Sequence, residues 1–128
     1  MKKWLVLTLV TALMVVLAAC GSASNNNGKA DSIKVSEDEI AAGSLVITAK
    51  NWEFDKEYYA IRAGESVEVT VNSIDGIHGI EIMNTEYSNI INDKATAVTI
   101  TEPGTYEVRC SIPCGNGHRT MVTKLVVV

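Results

Sequence analysis

The sequence predicts an all-β fold, an antiparallel sandwich of about seven short strands. Three observations carry that prediction. From Ser44 onward apolar residues recur at every second position in one run after another. Turn-forming pairs, Ala63-Gly64, Asp75-Gly76 and Pro103-Gly104, separate the runs. No stretch in this part of the chain carries a long apolar pattern at helical spacing.

Taken in order, Ser36-Glu37-Asp38-Glu39 has the form of a capping box ahead of Ile40, Ala41 and Ala42, with Gly43 as a stop, and predicts one short helical turn. Leu45-Val46-Ile47-Thr48-Ala49 is a largely β-branched run. Trp52 and Phe54 alternate with polar residues, and Val67, Val69 and Val71 alternate with Glu68 and Thr70. Ile80 and Ile82 flank Glu81, Val98 and Ile100 flank Thr99, and Tyr106, Val108 and Cys110 form a further period-2 face. Met121 to Val128 is the last strand, and Tyr87 to Asp93, the least regular segment, is expected to be a loop. No internal repeat is present.

The chain has 128 residues, enough for one domain. Aromatic residues are 5% of it, so the core must be built mainly of Val, Ile and Leu. Met1-Lys2-Lys3 is a short positive start, and Trp4 to Ala19 is an apolar run of sixteen residues, shorter than the roughly 20 a membrane-spanning helix needs. The run meets Leu17-Ala18-Ala19-Cys20, the small-residue ending of a secretory signal. That ending resembles the lipobox of bacterial lipoproteins. The resemblance implies cleavage before Cys20, lipidation of its thiol, and an extracytoplasmic protein anchored to the bacterial cell membrane. Gly21 to Ser32, rich in Ser, Asn and Gly, reads as a flexible tether. The expected organisation is a signal peptide at 1–19, a lipidated cysteine and tether at 20–43, and the folded domain at 44–128.

Without Lys2 and Lys3 the chain keeps 9 basic and 15 acidic residues, a net charge of −6. That balance argues against nucleic acid, which selects a basic face. It suits a basic partner protein if the acids cluster, or simply keeps a small exported domain soluble.

Chemistry concentrates in Cys110-Ser111-Ile112-Pro113-Cys114-Gly115-Asn116-Gly117-His118-Arg119-Thr120-Met121. Two thiols, an imidazole and a thioether lie on one loop between the last two strands. His78, the other histidine of the chain, opens a separate predicted strand. Soft and borderline donors of this kind select copper over magnesium or calcium. Gly115 and Gly117 are expected to give the loop the tight path that brings His118 back toward Cys114. Other readings stand beside this one. The two cysteines, in an oxidising compartment, could form a disulfide. Two Cys and two His could hold zinc, but Met121 would be idle. A mononuclear blue-copper site needs one Cys, two His and a weak Met, leaving a cysteine surplus. Two cysteines four positions apart can instead bridge two coppers through both sulfurs.

From about Val46 to Val128 the chain resembles the copper domain of cytochrome c oxidase subunit II and the matching domain of nitrous oxide reductase. Val71-Asn72-Ser73-Ile74-Asp75-Gly76-Ile77-His78-Gly79 is similar to the stretch bearing the family's first histidine ligand. Glu102-Pro103-Gly104-Thr105-Tyr106 is similar to the turn that leads into its first cysteine. The resemblance implies a cupredoxin-like Greek-key sandwich and a binuclear CuA centre of two copper ions. Cys110 and Cys114 would bridge both coppers. His78 and Met121 would complete one, and His118 and the backbone carbonyl of Ile112 the other. Trp52 would be the point of electron entry. The chain departs from the family at Ile112, where many oxidase subunits carry Glu. It also has a lipoprotein leader in place of a transmembrane hairpin.

The expected role is that of an electron carrier rather than an enzyme, with cytochrome c or a terminal oxidase as redox partner. The alternative is a copper chaperone or reservoir delivering metal to a membrane cuproenzyme. A thiol–disulfide enzyme would place its cysteine pair at the start of a helix in a thioredoxin-like fold, a context not found here.

Overall fold

A computed structural model describes residues 33–128. The expected signal peptide, Cys20 and the tether through Ser32 lie outside the described residues. Ten strands form two sheets: β1 (Ile40–Ala41), β2 (Ser44–Lys50), β3 (Glu53–Phe54), β4 (Tyr58–Ile61), β5 (Ser66–Ser73), β6 (Gly79–Ile82), β7 (Ile90–Ile91), β8 (Thr96–Thr99), β9 (Gly104–Cys110) and β10 (Val122–Val127). One sheet runs β1-β4-β10-β9-β6-β7 and the other β3-β2-β5-β8. The result is a Greek-key β-sandwich, and seven of its strands have four residues or more. Its ladders are mixed rather than wholly antiparallel: β2 runs parallel to β5, and β4 parallel to β10. After β2 the chain crosses to the opposite sheet as β4 and returns as β5, so β5 re-enters beside β2 in the same direction.

Period-2 patterning decides which side chains meet between the sheets. Val67, Val69 and Val71 of β5 are buried while Glu68 is exposed, and Leu45, Ile47 and Ala49 of β2 turn inward beside them. The facing sheet contributes Ile80 and Ile82, Val108 and Cys110, and Leu125 and Val127 to the same core. Each aliphatic side chain buried this way contributes about 2 kcal/mol.

The capping-box segment forms a 3₁₀ turn, Glu37–Glu39. The Glu39 carboxylate accepts the Ser36 backbone N–H at 2.9 Å and the Tyr58 hydroxyl at 2.7 Å. The chain then adds β1 to the edge of the larger sheet, Ile40 opposite Ala60, so the sandwich takes in residues ahead of Ser44. Ile90 and Ile91, inside the segment expected to be a loop, pair with β6 and close the other edge. Two residues are too few to show a period.

Tyrosine hydroxyls fix two further details. Tyr106 donates to the Glu102 carbonyl at 2.9 Å and pins the turn into β9, the strand that ends at Cys110. Tyr87 sits on the edge of β8. Its oxygen accepts the Thr99 N–H at 2.9 Å, and its own proton goes to the Thr99 carbonyl at 3.2 Å.

Candidate metal centre

β9 ends on Cys110, and β10 begins one residue after Met121. The two strands are hydrogen-bonded neighbours, and Cys110 N–H donates to the Met121 carbonyl at 3.2 Å, so the loop between them closes at its base. On the other side of β9, Ile80 pairs with Cys110, and Ser111 N–H donates to the Gly79 carbonyl at 3.0 Å. This register brings His78, just ahead of β6, against Cys110.

The donor atoms are linked in a row of contacts that is bent, not straight. His78 Nδ1 is 3.8 Å from Cys110 Sγ, Cys110 Sγ is 3.6 Å from Cys114 Sγ, and Cys114 Sγ is 3.6 Å from His118 Nδ1. The thiols are free, and 3.6 Å is far beyond a sulfur–sulfur bond, so the disulfide reading of the pair does not describe this structure. The Ile112 carbonyl accepts from the Cys110 thiol at 3.2 Å. The atoms of His78, Cys110 and Cys114 lie within 4.8 Å of one another, and His118 joins them through Cys114. Met121 is buried and shares with Cys110, His118, Arg119 and Glu81 the lining of a cavity of about 310 Å³.

Burial, and then its hydrogen bond with Cys110, push the Cys114 thiol up to about 11. Without a metal the thiol keeps its proton at neutral pH, and a bound cation must displace it. Two thiols and two imidazole nitrogens linked in this way, with a thioether lining the adjoining cavity, fit soft metal ions. Of the residues that sequence spacing singles out, His78, Cys110, Cys114 and His118 and the Ile112 carbonyl are linked by these contacts, and Met121 lines the adjoining cavity.

Trp52 is 40% exposed and lies against the loop between Cys110 and Met121. Its indole N–H donates to the Cys114 carbonyl at 2.9 Å. A Cβ on Gly117 would stand 2.5 Å from Trp52 Cβ and Cγ, which no real side chain tolerates. Gly117 has an ordinary φ of −91°, so it is required by the indole and not by the turn, whereas Gly115 has φ +120° and meets the conformational expectation. Phe54, by contrast, is part of the core. Ile74 and Ile77, 63% and 71% exposed, project from the segment that carries His78.

The contacts behind His78 escape sequence reasoning. Its Nε2 lies 2.8 Å from the Asp75 carbonyl, and its backbone N–H donates to Ser73 Oγ at 3.1 Å. No motif announces them.

No family model and no curated protein matches the chain. Solved structures do. A heme-copper terminal oxidase dimer, determined by cryo-electron microscopy, is 25% identical, with a TM-score of 0.57 over 99% of this chain and 95% of that one. The periplasmic domain of cytochrome oxidase subunit II (CoxB) of Bradyrhizobium japonicum is 18% identical, with a TM-score of 0.55 over 66% of this chain and 83% of that one. Auracyanin A, a "blue" copper protein from Chloroflexus aurantiacus, is 19% identical, with a TM-score of 0.52 over 66% and 98%. The chain has the cupredoxin fold. In this fold the donor row lies at the end of the sandwich where β9 meets β10. Among the described residues no helix is long and apolar enough to cross a membrane.

Proposed function

We propose that the domain is a copper-binding electron-transfer module with a binuclear centre of the CuA type. The observation that carries this reading is the order of the donor row, imidazole, sulfur, sulfur, imidazole, at 3.8, 3.6 and 3.6 Å. The two neighbouring sulfurs can be shared, and each has an imidazole beside it. Cys110 and Cys114 would bridge the pair of metals. His78 and Met121 would hold one, and His118 and the Ile112 carbonyl the other. Copper supplies one-electron redox chemistry when bound.

The rest is done by the chain. The sheet register holds His78, Cys110 and Met121 in fixed positions, so little has to move when charge changes. Trp52 reaches from solvent to the Cys114 carbonyl and offers an entry point for electrons. Ile74 and Ile77, exposed on the segment that carries His78, offer apolar side chains suited to a redox protein such as cytochrome c or a terminal oxidase. Lipidation of Cys20 would keep the domain outside the cell membrane, near such partners.

Metal content and the electron paramagnetic resonance spectrum test the reading. Two coppers per chain with a seven-line, mixed-valence signal are expected. One copper with a four-line signal would reject the binuclear centre. For the anchor, Cys20→Ser is expected to abolish incorporation of labelled fatty acid, and label retained by that variant would refute it.

A second reading is delivery of copper to a cuproenzyme. The observation favouring it is that Cys114 and His118 are only half-buried, within reach of an acceptor's ligands. Mixing the loaded protein with reduced cytochrome c and, separately, with an apo copper acceptor separates the two. Fast electron uptake without metal loss supports the carrier, and ready metal transfer supports delivery.

A further inference from the structure

His78 is fully buried, but burial alone does not aim its ring. The residue follows Ser73–Ile77, where the chain leaves β5 in one sheet to begin β6 in the other. A strand ladder cannot fix a crossing between sheets, so its backbone needs other partners. Ile74 N–H finds the Ala49 carbonyl at 2.9 Å, and the partners that flank it come from side chains. Asn92 Oδ1, just past β7, accepts the Ser73 N–H at 2.6 Å. Ser73 Oγ accepts the His78 N–H at 3.1 Å. The Asp75 carbonyl, 2.8 Å from His78 Nε2, can only accept, so Nε2 carries the ring proton and Nδ1 turns its lone pair toward Cys110.

Asn92 is itself anchored. It bridges to Val71, and the next residue, Asp93, donates its N–H to the Val71 carbonyl at 2.9 Å. Its own carboxamide N–H₂ donates to the Asp93 carboxylate. On the opposite flank Gly76, with φ +80°, lies so close to Asn51 that an added Cβ would stand 2.4 Å from Asn51 Oδ1 and 2.9 Å from His78 Nε2. The crossing is thus held from both sides.

We propose that Asn92 and Ser73 are positioning residues for the metal centre, acting through the His78 backbone to hold Nδ1 aimed at the metal. The inference rests on the reading of His78 as a copper ligand. Neither side chain hydrogen-bonds to a donor atom of the row. Their effect is to remove, before metal arrives, the freedom that His78 would otherwise lose on binding.

The test combines two readouts. In the metal-free protein, nitrogen-15 NMR at a pH where imidazole is neutral reports the His78 tautomer and the exchange of its Nε2 and amide protons. In the loaded protein, Cu(I) affinity is measured against a chromophoric chelator. Asn92→Ala and Ser73→Ala are expected to speed both exchanges about tenfold and to weaken Cu(I) binding roughly 10- to 100-fold. Ser73→Thr, which keeps the hydroxyl, is expected to behave as wild type. Thr85→Val breaks hydrogen bonds to Ile82 and Tyr87 in the connection between β6 and β7, and is expected to move neither readout. Wild-type binding of Cu(I) with unchanged affinity and exchange in Asn92→Ala would overturn this proposal alone. So would Thr85→Val effects as large as those of Asn92→Ala. Failure of the wild-type protein to bind Cu(I) would overturn the copper reading and the proposal with it.

Discussion

The donor row has an inner half and an outer half, built by different means. His78, Cys110 and Met121 are 0, 4 and 1% exposed, whereas Ile112, Cys114 and His118 all reach solvent. The inner three sit on, or one residue from, β6, β9 and β10, and their places follow from the pairing of those strands. The outer three sit on a loop with no ladder, shaped by a 3₁₀ turn at His118–Thr120 and by the indole of Trp52. Register is a property of the whole sandwich and cannot yield locally, while loop packing can. The inner half should therefore couple metal binding to the stability of the fold, and removing a donor from the outer half should affect the metal alone.

The largest effect expected is from the cysteines. Cys110→Ser and Cys114→Ser should each reduce copper from two per chain to at most one, measured by elemental analysis, because each sulfur would serve both metals. They should differ in the metal-free protein. Cys110→Ser places a hydroxyl in the core and should cost about 1–3 kcal/mol in urea denaturation. Cys114→Ser, half-exposed, should cost within about 0.5 kcal/mol. Equal costs would erase the distinction between the halves.

The histidines sharpen it next. His78→Ala removes a buried ring and leaves the Asp75 carbonyl without its donor, so it should destabilise the metal-free protein by about 2–4 kcal/mol. His118→Ala should leave thermal unfolding close to wild type while still weakening copper binding. Gly117→Ala tests how the outer half is held. Its Cβ would collide with Trp52, so the indole must move, at a cost of about 1–3 kcal/mol and with a red-shifted tryptophan emission. An unchanged spectrum would mean that Trp52 does not shape the loop. Met121→Leu should be the mildest. Volume is nearly conserved, so copper should stay bound with a shifted reduction potential and stability within about 1.5 kcal/mol. Loss of copper as complete as in Cys110→Ser would reverse the ranking of the two ligands.

The strands that carry the inner half are largely legible in the sequence. Val67, Val69 and Val71, or Ile80 and Ile82, announce a buried face by period alone, and all five are buried. The donor loop is legible because two cysteines, a histidine and a methionine rarely share twelve positions for structural reasons. What stays hidden depends on residues far apart in the chain. Trp52 meets the Cys114 carbonyl across 62 positions, and Asn92 meets Ser73 across 19. Gly117 reads as a turn residue in the sequence because a glycine's need for space shows only once its neighbour is in place. The parallel placement of β2 beside β5 is hidden for the same reason, since strand patterning is blind to direction.

The phenol of Tyr87 has a consequence for how such chains behave in a crowd. β8 is the open margin of the four-stranded sheet, where the outward N–H and carbonyl of an edge residue are a template for another chain. Both of those groups on Thr99 are taken by one hydroxyl. A fifth strand arriving from a neighbouring molecule would first have to evict that ring, so a single side-chain oxygen guards this margin against growth of the sheet into an aggregate.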